Sequence, residues 1–275
     1  MSGTIAEGES TGARRVTIIT GASGGIGADL ARVFARQGHD LVLIARSGPG
    51  LERLASEIAV PGRSPPLVLA LDLLAPGAID QIAAALRTTG VSPDILVNNA
   101  GFGLLGPASA LDTAEQLALI DLNIRAAVEM TLRFLPAICA ARGKILNVAS
   151  VASYFPGGPG MAAYYASKSF LLSFSLALSQ ELRSQGVTVS ALCPGYTKTG
   201  FQARAGFGPG LGLTRFPGTA AISVAEAGYT GLMAGKREIV PGFFNRVSVL
   251  LLPFLPKSVV LMIISRLQQN RVPPR

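Results

Sequence analysis

Tyr164 and Lys168 stand four residues apart, just after a Pro/Gly cluster at Pro156, Gly157, Gly158, Pro159 and Gly160. A helical pattern running to about residue 183 puts the two side chains on one face, one turn from each other. A free phenol has a pKa near ~10 and is a poor acid at neutral pH. A fixed ammonium beside it, and the positive end of a helix, both favour the phenolate and lower that value. Such a phenol suits proton exchange with a carbonyl/alcohol pair. Tyr165 reaches Lys168 as well, at i+3, so spacing alone does not choose between the two tyrosines.

A second stretch with chemical content is Gly21-Ala22-Ser23-Gly24-Gly25-Ile26-Gly27. A short β-branched run at 16–20 leads into it, and Ile26, Leu30, Val33 and Phe34 make an apolar helical stripe behind it. Gly21 permits a tight turn, while Gly25 and Gly27 let the backbone approach a pyrophosphate at a helix N-terminus. The same residues match G-x-S-x-G, with Ser23 as a hydrolase nucleophile, but that chemistry needs a histidine late in the chain. The one histidine, His39, lies a helix away, and the hydrolase reading fails. No Cys/His/Asp cluster has metal-ligand spacing, so no metal is expected.

The elements that must hold these residues read as alternating apolar strands and helices. Further strands are expected at 41–45, 67–71, 94–97, 144–148 and 187–192. Helices are expected at 51–58, about 76–86 and about 113–140, the last with Asn123 inside it. Continuous apolar strands between helices predict an α/β fold, a Rossmann-type doubly wound parallel sheet with helices on both faces, in a single domain. Ligands then bind beyond the carboxyl ends of the strands. The second strand ends Ile44-Ala45-Arg46-Ser47, without the acid that would hold a ribose 2′-hydroxyl. Arg46 and the Ser47 hydroxyl suit a 2′-phosphate, so NADP(H) is preferred over NAD(H).

Composition narrows the class. With 275 residues the chain has ample material for one large core. The net charge of +8 is spread over scattered basic residues with no interleaved aromatics, so nucleic-acid binding is not expected. Cys139 and Cys193 form no spaced framework, which points to a reducing, cytoplasmic setting. Residues 1–13 are small and polar and read as a disordered lead, 14–242 as the catalytic domain, and 243–275 as an apolar C-terminal extension.

Taken together, these residues resemble the short-chain dehydrogenase/reductase family over roughly 16–199. The parts are Thr20 to Gly27, Asp72 after the third strand, Asn98-Asn99-Ala100-Gly101 after the fourth, Asn123, Ser150, Tyr164-x-x-x-Lys168 and Pro194-Gly195. The resemblance implies that Tyr164, rather than Tyr165, is the catalytic acid/base, with Lys168 as its partner and a ligand of the nicotinamide ribose. It implies that Ser150 polarises the substrate carbonyl, Ser153 being the alternative, and that Asn123 anchors a water in a proton relay. Asp72 would contact the adenine, and Asn99, Ala100 and Gly101 the adenosine side. Pro194, Gly195, Thr197 and Thr199 would close over the nicotinamide, and the enzyme would be a dimer or tetramer.

Two regions concern the substrate and the surroundings. Residues 199–221, rich in Gly and carrying Phe201, Phe207, Leu211, Leu213 and Phe216, read as a mobile lid. An apolar lid predicts a hydrophobic ketone or secondary alcohol as substrate. The extension is split by Pro253 and Pro256, and neither half reaches the ~20 residues that span a bilayer. Burial under the lid or at a subunit interface is the first reading of it, and membrane-surface contact helped by Arg246, Lys257, Arg266, Arg271 and Arg275 the second.

Overall fold

The structure is a computed structural model, and it describes residues 13–206 and 218–269. The expected N-terminal lead up to residue 12, and Phe207, Leu211, Leu213 and Phe216 of the expected lid, lie outside the described residues.

Strands and helices alternate along the chain as expected. β1 (Arg14–Thr20), β2 (Leu41–Ala45), β3 (Leu67–Ala70), β4 (Val91–Asn98), β5 (Lys144–Val148) and β6 (Thr188–Leu192) are joined through α1 (Gly25–Arg36), α2 (Gly48–Ile58), α3 (Ala78–Thr88), α4 (Thr113–Ile120), α5 (Ala127–Ala140) and α6 (Ala162–Glu181). Then follow β7 (Thr197–Lys198), α7 (Phe201–Arg204), β8 (Thr219–Ala220), α8 (Ala221–Met233), β9 (Glu238–Ile239), α9 (Phe243–Leu251) and α10 (Lys257–Gln269). The central sheet has seven parallel strands in the order β3-β2-β1-β4-β5-β6-β9. β9 was not foreseen: two residues beside Lys236 and Arg237 leave no apolar run to read.

The sheet is buried on both faces. Ile19, Leu43, Val97, Leu146 and Leu192 pack with α1 and α8, while Ile18, Ile44, Leu96, Ile145 and Val189 face α3, α5 and the end of α6. Alternate residues of one strand thus serve opposite layers, which explains the unbroken apolar runs. The strand order reverses between β1 and β4, so their carboxyl ends open a crevice. The lone His39 lies away from it, half-buried against Phe34 and Tyr229.

The long helix expected at 113–140 is one rod with a wider turn inserted. Between α4 and α5 the backbone winds as a π-helix over Asp121–Ala126. Asn123 sits in that turn and is almost fully buried.

Candidate active site

The glycine turn closes the carboxyl end of β1 against that of β4. Thr20 binds the two ends together: its hydroxyl donates to the Val97 carbonyl at 3.2 Å and accepts the Asn99 and Ala100 N–H groups, each at 3.0 Å. The Asn99 amide donates to the carbonyls of Thr20 (2.9 Å) and Gly21 (3.2 Å). Gly21 and Gly25 hold φ of +66° and +56°, the left-handed region that side chains avoid. At Gly27 a Cβ would lie 2.3 Å from the Gly21 carbonyl oxygen, so helix and strand meet there backbone to backbone.

These residues fit a dinucleotide phosphate. α1 starts without a side-chain cap or an acid in its first turn, and the space over Gly24 is open, leaving N–H groups for an anion. Ser23 and Ser47 meet over Gly50, with a Cβ there placed 3.2 Å from the Ser23 Cβ and 3.0 Å from the Ser47 Oγ. Ser47 Oγ also accepts the Gly50 N–H as the cap of α2, which leaves its own proton to donate. Arg46 is exposed at the end of β2. Asp72 accepts the Leu74 N–H at 3.0 Å, so one carboxylate oxygen serves the local turn.

Tyr164, Lys168 and Ser150 converge beyond β5. Ser150 begins a 3₁₀ turn after that strand, its Oγ accepting the Ala152 N–H at 3.1 Å, and its hydroxyl is near enough to the Tyr164 phenol to favour the ionised form. Ser153, the alternative, instead donates to the Lys168 carbonyl at 2.8 Å and so braces α6. The Tyr165 ring packs on Gly158 and lies edge-on both to Phe155 and, at 6.2 Å between centres, to Tyr164. Lys168 is buried, with Nζ donating to the Val148 carbonyl at 2.9 Å and lying 5.9 Å from the Tyr164 ring centre.

The electrostatics correct one expectation. Burial pushes the Tyr164 phenol up to about 12, with the Ser150 hydrogen bond opposing it, rather than the ammonium drawing it down. Burial also lowers Lys168 to about 8. Desolvation therefore dominates at both groups in the protein by itself.

Asn123 uses both ends of its amide. Its oxygen accepts the Phe102 N–H (3.1 Å), and its nitrogen donates to the Phe102 carbonyl (3.0 Å) and to Ser167 Oγ (3.0 Å). A Cβ on Gly101 would lie 2.8 Å from that oxygen and 3.4 Å from Lys168 Nζ, so both groups border one small space.

The segment after β6 lies across this crevice. The Pro194 carbonyl accepts the Val151 N–H at 3.0 Å, while Gly195 packs against Asn245. Thr197 is buried in a two-strand pairing of β7 with β8 and donates to the Gly195 carbonyl at 3.1 Å. Thr199 sits over Gly25, 3.3 Å from where a Cβ would be, and accepts the Phe201 N–H. The Phe201 ring lies 5.5 Å from that of Tyr164 and, with Met161, crowds Gly103. Arg204, which no sequence pattern singled out, stands 5.0 Å over the Phe102 ring. Burial and the charge of Arg46 hold its guanidinium below the usual range, with Asp72 opposing.

A parallel sheet whose switch point carries an anion-ready glycine turn defines a dinucleotide-binding α/β protein. The family model for short chain dehydrogenase matches residues 15–206, and the chain belongs to the short-chain dehydrogenase/reductase family. Among characterised relatives, Oxidoreductase UcpA of Salmonella typhimurium is 35% identical over 193 residues, 70% of this chain and 72% of that protein. Among solved structures, the short-chain dehydrogenase from Sphingobium yanoikuyae in complex with NADPH matches with a TM-score of 0.75 at 31% identity, covering 86% of this chain and 92% of that one. The bulky-bulky ketone specific alcohol dehydrogenase from Comamonas testosteroni matches with a TM-score of 0.71 at 27% identity, covering 86% and 92%. The protein is accordingly an NAD(P)-dependent oxidoreductase of the CH–OH group.

Proposed function

We propose that the enzyme interconverts a hydrophobic ketone and its secondary alcohol, with Tyr164 as the acid/base and NADP(H) preferred over NAD(H). The observation that carries the reading is buried Lys168 with its Nζ 5.9 Å from the Tyr164 ring centre, and Ser150 near enough to the phenol to favour its ionised form. Bound nicotinamide supplies or accepts the hydride at the carbonyl carbon. Tyr164 gives its proton to the substrate oxygen in reduction and takes it back in oxidation. Ser150 donates a hydrogen bond to the same oxygen as charge develops there. Lys168 would stabilise the phenolate and bind the ribose, while the space shared with Asn123 over Gly101 suits a water that returns the proton. Gly21, Ser23, Gly25, Ile26 and Gly27 would hold the pyrophosphate, Asp72, Asn99, Ala100 and Gly101 the adenosine side, and Pro194, Gly195, Thr197 and Thr199 the nicotinamide side.

Arg46, Ser23 and Ser47 around one turn support the 2′-phosphate preference. The NADPH bound to the Sphingobium yanoikuyae protein agrees with it. For the substrate, Phe201 and Met161 beside Tyr164, and a small pocket walled by Leu104, Leu111, Leu119 and Met161, supply apolar contact. The ketone specificity named for the Comamonas testosteroni enzyme is of the same chemical kind. Exposed Leu117, Ile120 and Leu132 on α4 and α5 support self-association as a dimer or tetramer.

The test is NADPH oxidation across a panel of short polar and long apolar carbonyls. Tyr164→Phe is expected to lower turnover at least ~10²-fold while cofactor binding persists, and Tyr165→Phe to keep most activity. Retained turnover in the first variant, or preference for small polar carbonyls, overturns the corresponding part.

A further inference from the structure

We propose that α9, the turn after it and α10 form an in-plane docking surface for an anionic membrane. Among the described residues, nine of the fourteen exposed large apolar side chains belong to this segment: Phe243, Phe244, Leu250, Leu251, Phe254, Leu255, Leu261, Met262 and Ile263. Phe243, Phe244 and Phe254 are 74%, 83% and 80% exposed. No residue of α9 is buried, and α10 buries only Val260 and Ile264 among its described side chains. Within one copy of the chain, the described side chains of this extension are thus mostly left to solvent.

The charge identifies the occupant. No Asp or Glu follows Glu238 in the sequence, whereas Arg246, Lys257 and Arg266 among the described residues do, supplying three positive charges. No ion pair among the described residues involves Arg246, Lys257 or Arg266. A second copy docking face to face would bring these like charges together with no carboxylate between them, which costs free energy. A lipid surface carrying phosphatidylserine offers the opposite charge and an apolar layer beneath it. α9 has nine residues and α10 thirteen, and no helix among the described residues is long and apolar enough to cross a bilayer. The segment thus lies on the surface rather than spanning it.

The surface is anchored to the active-site rim. Asn245 of α9 fills the space at Gly195, its amide donating to the Pro241 carbonyl at 2.7 Å. Leu261 of α10 reaches Gly157, 3.5 Å from where a Cβ would be, in the loop before Tyr164. A substrate dissolved in lipid would meet the enzyme beside this rim; that consequence alone rests on the hydrophobic-substrate reading.

Flotation of the full chain with vesicles tests the proposal without using turnover. The protein is expected to float with phosphatidylcholine vesicles containing about 30% phosphatidylserine at least tenfold better than with phosphatidylcholine alone, and to be released by high salt. The triple change Phe243→Ser, Phe244→Ser and Phe254→Ser should abolish flotation with the thermal transition unchanged. Arg246→Glu with Lys257→Glu, both at exposed positions, should weaken flotation about fivefold per residue, and gives a second reading if the serine variant misfolds. No flotation of the parent chain with anionic vesicles at low salt overturns the proposal. So does a parent oligomer, measured by light scattering, that never floats and that the serine changes dissociate, because the face would then belong to a second copy.

Discussion

At the hydroxyl of Tyr164, burial raises the pKa, the Ser150 hydroxyl opposes it, and burial prevails. The phenol, pushed up to about 12, stays protonated at neutral pH and is by itself a weaker acid than a free phenol. Lys168, lowered to about 8, carries its charge below that pH and loses it above. kcat/KM for carbonyl reduction is expected to be level at lower pH and to fall as pH rises through about 8, measured with saturating cofactor. The same shift acts on stability with a definite sign. The folded Lys168 binds its proton less tightly than the unfolded one, so the folded state is penalised below about 8, and the penalty is relieved as pH rises toward 10.5. A shift of this size corresponds to about 3 kcal/mol, against about 1 kcal/mol for the hydrogen bond to Val148. Lys168→Met is therefore expected to raise stability at pH 7 by about 1–2 kcal/mol while eliminating turnover, measured by urea unfolding and by assay. The Tyr-x-x-x-Lys spacing was legible in the sequence. Spacing does not choose between the two tyrosines, because i+3 and i+4 positions share a helix face; in the structure Tyr164 feels the Ser150 hydroxyl, while the Tyr165 ring packs on Gly158.

At the scale of elements, the strand-turn-helix unit from β1 to α1 rests on backbone contact. A methyl group at Gly27 would sit 2.3 Å from the Gly21 oxygen and 2.4 Å from the Asn99 amide nitrogen. Gly27→Ala is expected to cost about 1–3 kcal/mol and to weaken dinucleotide binding, read by thermal melting and by cofactor titration. The turn was readable because glycines set between a β-branched run and an apolar helical stripe fit a strand bending tightly into a helix. The π-turn around Asn123 was readable only as an oddity: an Asn in a helix interior is unfavourable unless its amide is used. What uses it, the Phe102 backbone and Ser167, comes from other parts of the chain. β9 and the β7–β8 pairing were not legible in the sequence because two-residue strands carry no period.

For the whole molecule, the proposed cofactor preference rests on segments far apart in sequence. Arg46 follows β2 and Arg204 ends α7, and the charge of Arg46 is felt at Arg204, with Asp72 opposing. An added phosphate relieves that excess of positive charge, as 2′-phosphate binding requires. NADP(H) is expected to raise Tm more than NAD(H) at equal concentration, since a ligand held only by the folded state stabilises it in proportion to its affinity. Arg46→Glu should remove or reverse that difference, and an unchanged preference would move the selectivity elsewhere. The extension past residue 242 belongs to this scale as well, since its helices grip the rim at Gly157 and Gly195 while turning their apolar side chains outward.

The sequence by itself determined the parallel sheet, the glycine turn, the Tyr/Lys spacing and the lack of an acid after β2, since each is a local pattern of residue types. Tertiary structure decided what depends on neighbours brought from a distance. It set the direction of the Tyr164 and Lys168 shifts, because burial is a sum over several elements. It set Ser150 near Tyr164 and turned Ser153 to the Lys168 carbonyl, because two serines three residues apart differ only in what they face. It left the C-terminal helices uncovered, because hydrophobicity in a sequence states that a side chain avoids water, not which surface will receive it.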